Sequence, residues 1–352
     1  MRTQRRRPPA PAARVDAGRV ARLLRLGALL LAPALVCGCG GRRSTLAPHS
    51  PQTHLIAMLW WWMLGAAAVV FLGAVGLIAL AWLRRRVPGL PFVGEREDLA
   101  GGMVVVFGIV IPLVVLIALF AAANLYVIRS SAAPSPRSTR LAVDVIGHQW
   151  WWEVWYPGTS AVTANEIHIP ARTRVDVTAT SADVIHSFWV PRLARKIDMI
   201  PGRENHLLLY ASSPGVYGGQ CSEFCGVAHA YMGVRVFAEA PASYQSWLAN
   251  MAKPALTAKA AEARRGERLF MSSQCASCHQ IRGTPAQATV GPDLTHVASR
   301  TSLAATTIAN SAGELAAWIT NPQAIKSGDR MPDLGLSQGE VADLVAYLEE
   351  LR

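Results

Sequence analysis

Two short stretches of this chain concentrate side chains that bind metals. The first is Cys221-Ser-Glu-Phe-Cys225-Gly-Val-Ala-His229-Ala-Tyr-Met232 and the second is Cys275-Ala-Ser-Cys278-His279. Two thiolates, an imidazole and a thioether within twelve residues form a soft donor set, which selects copper. Zinc competes for thiolate and imidazole but rarely takes methionine. One cysteine with histidine and methionine would hold a single copper. Two cysteines four apart let both sulfurs bridge two coppers, each then needing a terminal histidine and a weak axial ligand. His229 and Met232 supply one of each. His186 is the best candidate for the second histidine, because Asp183-Val-Ile-His186-Ser-Phe-Trp-Val-Pro191 reads as an apolar strand-to-loop segment beside a proline. The backbone carbonyl of Glu223 can complete the set. A Cys221–Cys225 disulfide is the alternative, and the ligand-spaced His229 and Met232 argue against it.

The second stretch is a Cys-x-x-Cys-His motif. Its two thiols add to haem vinyl groups and its histidine binds the iron. Cys275 and Cys278 are then attachment points, and His279 is the proximal ligand of one covalent haem c. With Cys221 and Cys225 in the first stretch and Cys37 and Cys39 near the N-terminus, no cysteine pair is left over to complete a zinc site. Met331, in Gly328-Asp-Arg-Met331-Pro332, is the expected distal ligand, and His/Met ligation raises the potential as electron transfer requires. Met271 precedes Cys275 by four residues and reads as helix packing.

The elements that hold these stretches are legible from pattern. Arg2, Arg5, Arg6, Arg7, Arg14, Arg19, Arg22 and Arg25 precede an apolar run, Leu26 to Val36, and then Cys37 and Cys39. Residues 1–39 read as an export signal, with Cys39 at a site loosely resembling lipoprotein processing. The net charge of +11 is concentrated in that leader, so nucleic-acid binding is unsupported. Within residues 54–129, Leu55 to Leu83 and Gly102 to Ile128 are free of charged side chains, and each exceeds the roughly 20 apolar residues that cross a bilayer. Arg84, Arg85 and Arg86 place the connecting loop in the cytoplasm and both ends of the hairpin outside it. After a Ser/Pro-rich linker, residues 140–250 alternate in short β runs, as a sandwich or small barrel does. Residues 258–352 are helical. Glu262 to Met271 and Gly313 to Ile319 form helices, and Ser337-Gln-Gly-Glu340 caps a last one with Val341, Leu344, Val345 and Leu348 on one face.

The ligand pattern of residues 54–250 resembles subunit II of haem-copper oxidases, whose binuclear copper-A centre sits in a cupredoxin-like Greek-key barrel behind two spans. Gly147-His-Gln-Trp150-Trp-Trp152 is similar to that family's aromatic segment, and by resemblance Trp150 is where electrons enter. Asp198-Met-Ile-Pro201-Gly-Arg203 is similar to a segment near the interface with subunit I, and the Glu223 carboxylate would bind magnesium there. Residues 262–352 resemble class I cytochrome c. Gly266, Phe270, Gly291-Pro-Asp-Leu294 and Trp318 match its helix and haem-packing positions. The two signatures in this order resemble the caa3-type subunit II.

The expected fold is therefore an α-helical transmembrane hairpin, an all-β cupredoxin-like Greek-key barrel and an all-α cytochrome c domain. The resemblance implies an electron-accepting subunit of a respiratory oxidase in a bacterial inner membrane, with both metal domains on the periplasmic side. Its partners would be subunit I, where oxygen is reduced, subunit III, and an upstream cytochrome c or cytochrome bc-type donor. The same module in a membrane nitric oxide reductase, or a copper-delivery protein, are the alternatives; the haem argues against delivery. One departure is clear. The family often carries a glutamate early in the second span, whereas this chain has Met103-Val-Val-Val-Phe107, with Glu95, Glu97 and Asp98 just before it. Residues 140–250 hold eight Lys/Arg and nine Asp/Glu, and residues 258–352 nine and ten, so each carries −1. Fusion raises effective concentration without opposite net charges.

Overall fold

A computed structural model describes residues 41, 43–84, 97–134, 139 and 141–352, with the side chain of Glu97 left aside. The leader with Cys39, the loop containing Arg85, Arg86 and Glu95, and residues 135–138 and 140 of the Ser/Pro-rich linker lie outside the described residues.

Helix α1, Pro51–Arg84, begins where Ser50 and Thr53 cap it reciprocally: Thr53 N–H donates to Ser50 Oγ at 3.1 Å and Ser50 N–H to Thr53 Oγ1 at 3.2 Å. At 1.5 Å per residue α1 rises about 50 Å, well beyond a hydrocarbon core of about 30 Å. The excess is used at the N-terminal end, where Gln52, Thr53 and Ala57 are buried. Thr53 Oγ1 and His49 N–H both donate to the Arg192 carbonyl, at 3.0 and 2.8 Å, grafting the start of the span onto the β domain. Helix α2, Asp98–Ile128, is equally apolar. It includes two π-helical stretches, Val106–Val110 and Ala123–Ile128. Pro112, which has no N–H to donate, falls in the first turn after the earlier one. Side chains such as Val69, Phe71, Phe107 and Phe120 stand exposed along both helices, as lipid-facing positions require.

The β domain consists of two five-stranded sheets. One orders as β3 (Val162–Ala164), β2 (Trp151–Trp155), β1 (Leu141–His148), β5 (Val175–Ser181) and β8 (Asn205–Leu209). The other orders as β4 (Glu166–Pro170), β10 (Gly233–Glu239), β9 (Gly215–Cys221), β6 (His186–Trp189) and β7 (Ile197–Met199). β1 pairs with β5 in parallel, Val143 opposite Val177 and Val145 opposite Ala179. Period-2 alternation turns these side chains into the core with Trp152, Val154, Ile167, Phe188 and Val236. The nonconsecutive strand order is the Greek-key crossing of a cupredoxin-like fold. A helix the alternation did not announce, α3 (Pro241–Met251), closes the domain. Its Trp247 ring stacks on His168 at 4.0 Å and its Tyr244 is buried.

The helical domain crosses α4 (Ala261–Ser272) against α8 (Gln338–Glu350). Gly266 allows the crossing: a Cβ there would run into the Asp343 carbonyl. Phe270 meets Tyr347 edge-on at 6.0 Å, and Val341, Leu344, Val345 and Leu348 line the buried face of α8. The Ser337–Glu340 capping box is present in both directions. Between these helices lie α5 (Cys275–Cys278), a β-bridge pair β11 (Ser302–Leu303) and β12 (Ile308–Ala309), α6 (Ala312–Thr320) and α7 (Pro322–Ile325).

Candidate metal centres

The first centre forms at one end of the β domain. β6 begins with His186 and β9 ends with Cys221; their pairing sets Phe188 opposite Cys221. The chain then loops through Cys225 and a 3-10 turn, His229–Tyr231, into β10 just after Met232. Two backbone bonds fix the loop: Cys221 N–H donates to the Met232 carbonyl at 2.9 Å and Ser222 N–H to the Ser187 carbonyl at 2.9 Å. Ligand-capable atoms of His186, Cys221 and Cys225, all buried, lie within 4.8 Å of one another. The Sγ atoms of Cys221 and Cys225 are 3.8 Å apart. His186 Nδ1 is 3.9 Å from Cys221 Sγ, and His229 Nδ1 is 3.5 Å from Cys225 Sγ. Met232 Sδ is 3.8 Å from Cys225 Sγ, and the Glu223 carbonyl accepts from Cys221 Sγ at 3.2 Å. All six sequence candidates are thus gathered at one point, each histidine facing a different sulfur. This arrangement of soft donors fits copper.

Outer contacts fix the inner ones. His186 Nε2 bonds to Asp183 Oδ1 at 2.9 Å, which leaves Nδ1 toward the sulfur. Asp183 also accepts from the N–H groups of Val184 and Gln149, both at 2.7 Å. Burial opposes its charge, but the His186 bond and these two donors outweigh burial and hold Asp183 below the ordinary carboxylate range. Burial likewise disfavours a charged His186, yet its bonds to Cys221 and Asp183 prevail and push it up. The bond between the thiols holds Cys221 far below the usual thiol range and drives Cys225 upward. Gly147 must lack a side chain, because a Cβ would stand 2.7 Å from the His186 ring. Trp150 is buried behind the loop and its indole Nε1 donates to the Cys225 carbonyl at 3.1 Å.

At the second centre, α5 presents Cys275 and Cys278, both half-buried, with His279 directly after. His279 Nδ1 bonds to the Pro292 carbonyl at 2.8 Å. Nδ1 therefore carries the proton and Nε2 keeps its lone pair for a metal. Burial lowers the pKa of His279, which favours that neutral ligand form. Gly291 lies flat on the His279 ring; a Cβ there would stand 2.7 Å from it. Met331 lies on a separate loop, its N–H bonded to Asp329 Oδ1 at 3.0 Å and its carbonyl to Gln323 Nε2 at 3.1 Å. These residues fit a covalent haem: two attachment thiols, an oriented imidazole and a thioether on a braced loop.

The loop carrying Met331 meets the copper loop. Lys326 Nζ donates to the Trp150 carbonyl at 2.6 Å, and Arg330 donates to the Gln149 side-chain oxygen. Gln149 Nε2 in turn donates to the Cys225 carbonyl at 2.7 Å. Gly328 packs on Val227 with no room for a Cβ. A second contact holds the domains elsewhere, where Glu166 Oε1 accepts from Thr301 N–H at 2.9 Å, Thr301 Oγ1 at 2.6 Å and Ser302 Oγ at 3.2 Å. Sequence reading did not single out Gln149, Lys326, Arg330 or Glu166. Their partners come from another domain, and only the Lys326-x-x-Asp329 spacing beside Met331 offered a local sign.

Comparison with known proteins adds a second line. The family model for the periplasmic domain of cytochrome c oxidase subunit II matches residues 159–239, and that for cytochrome c matches residues 263–352. A cytochrome c oxidase subunit 2 from Alkalihalophilus pseudofirmus is 30% identical over 323 residues, spanning 90% of this chain and 93% of that protein. One from Bacillus subtilis is 31% identical over 260 residues, 69% of this chain and 73% of that protein. One from Synechocystis is 41% identical over 109 residues, 31% of this chain and 32% of that protein.

Proposed function

Because the chain belongs to the cytochrome c oxidase subunit II family, we propose that it carries electrons from one covalent haem c to a binuclear copper-A centre and on to subunit I. It is the electron-accepting subunit of a haem-copper oxidase and assembles with the catalytic subunit. Copper and haem, when bound, supply reversible one-electron carriage. The protein's part is to hold both centres rigid, dry and close.

Cys221, Cys225, His186, His229, Met232 and the Glu223 carbonyl would hold the copper, a soft donor set suited to reversible one-electron exchange. Cys275 and Cys278 would attach the haem, and His279 and Met331 would ligate its iron. The exposed Glu223 carboxylate is the ligand for a magnesium ion at the subunit I interface, and Trp150 lies on the electron path. The observation that supports this reading is the gathering of four further donors around two sulfurs 3.8 Å apart. α1 and α2 fix the chain in a bacterial inner membrane. Arg84 ends α1 on the cytoplasmic side, so the metal domains face the periplasm. Subunit III and an upstream cytochrome complete the assembly.

Metal analysis and electron paramagnetic resonance of the purified oxidase test this. Two coppers in this chain for each covalent haem, with one unpaired electron coupled to both copper nuclei, is the expected result. One copper per chain with a single-nucleus spectrum refutes the binuclear assignment.

A further inference from the structure

Lys326 is an unusual residue for a small helical domain. Its side chain is almost fully buried, at 1% exposure. Nζ has two partners, the Asp329 carboxylate at 3.1 Å within its own loop and the Trp150 carbonyl at 2.6 Å in the other domain. A buried ion pair seldom stabilises a domain more than well-packed apolar side chains would. The helical domain would therefore be served as well by an apolar residue here. What an apolar residue cannot supply is the hydrogen bond across the domain boundary.

The place of that bond gives it meaning. Trp150 receives Lys326 on its carbonyl and donates its indole N–H to the Cys225 carbonyl at 3.1 Å. Lys326 also begins the Lys326–Met331 loop, in which Asp329 Oδ1 holds the Met331 N–H at 3.0 Å. One lysine thus joins the loop of the distal haem ligand to the backbone behind the copper loop. Its charge is balanced by Asp329 inside the same loop, so the Lys326 bond itself brings no unpaired charge against its partner.

We propose that Lys326 is the positioning residue that locks the cytochrome domain onto the copper domain in the arrangement used for electron transfer. It rests on the proposed relay from haem to copper-A. The lock is polar, buried and charge-neutral, so it sets alignment without long-range attraction. Such buried contacts are only weakly screened by salt.

The test uses the intact oxidase with Lys326→Met, which keeps length and apolar packing but removes the donor. Two quantities are read beside haem and copper spectra: hydrogen exchange of residues 147–152 and 324–331, and the haem-to-copper rate after flash oxidation. Lost charge-assisted bonds typically cost a factor of about ten or more in the bonded population. Exchange in both segments should rise about tenfold and transfer should slow by a similar factor, with both spectra unchanged. Unchanged exchange and rate overturn the role of Lys326 while leaving the relay intact. Absence of haem-to-copper transfer in the unsubstituted oxidase overturns the relay itself. If Lys326→Met fails to assemble, the unsubstituted oxidase still decides. A rate nearly flat from low to high salt supports the neutral lock, and a steep fall with salt contradicts it.

Discussion

At the copper loop, His186 and Cys221 are 35 residues apart and become neighbours only because β6 pairs with β9. At the haem motif, Cys275, Cys278 and His279 are already neighbours in a five-residue stretch. The first centre exists only in the folded sheet pair, so copper binding and folding of the β domain are linked. A haem joined to Cys275 and Cys278, as proposed, would keep its attachment whatever happens to the surrounding helices. Within one chain, one cofactor depends on tertiary structure and the other depends mainly on local sequence.

The largest effect that would break this contrast is at the sulfurs. Cys225→Ser removes a donor that lies 3.8 Å from Cys221 Sγ, 3.8 Å from Met232 Sδ and 3.5 Å from His229 Nδ1. Copper in this chain should fall to background while covalent haem stays at full occupancy, as metal analysis and haem staining of a denaturing gel would record. Loss of both would mean that the haem also depends on the copper fold.

Core substitutions sharpen the contrast. Phe188 is fully buried one strand residue from the copper loop, with Trp152 edge-on at 5.7 Å. Phe188→Ala should cost about 3–5 kcal/mol of β-domain stability, and copper occupancy should fall with it. Gly266→Ala forces a methyl group into the Asp343 carbonyl. It should cost the helical domain about 2 kcal/mol, yet leave the haem covalently bound. Denaturant unfolding followed separately by tryptophan emission and haem absorbance distinguishes the two domains.

The smallest effect is at the end of α8. Glu350 accepts from the N–H groups of Lys259 and Ala260, at 2.7 and 3.0 Å, and these bonds hold its pKa below the ordinary value. A carboxyl depressed in the folded state contributes above its unfolded pKa of about 4.3, and that contribution disappears as pH falls through the folded value. Glu350→Gln should lower the melting temperature slightly near neutral pH and flatten its decline in acid. An identical acid profile in both proteins would show that this carboxylate contributes nothing.

The same contrast governs what could be read from sequence. The haem motif, the Ser337–Glu340 cap and the apolar spans are local patterns, and the structure forms the cap and the two apolar helices where pattern put them. The copper donors from Cys221 to Met232 are also local. His186 was found because it begins an apolar strand segment, and the pairing of β6 with β9 then brings it to the sulfurs. Helix α3 was missed because Tyr244 and Trp247 bury against Tyr156 and His168, which no spacing within 241–251 reveals. Lys326, Gln149 and Glu166 were missed for the same reason: each finds its partner in another domain. Equal net charges of −1 gave no sign of docking, and at the Lys326 contact the charge is balanced by Asp329 within its own loop.

In the proposed relay the haem receives the electron first and copper-A takes it from the haem. Rapid mixing of the fully oxidised oxidase with its native donor, following haem absorbance and the copper-A signal together, tests this most directly. The account predicts that haem reduction leads and that copper-A is reduced at the haem's expense. Reduction of copper-A while the haem remains oxidised would contradict it.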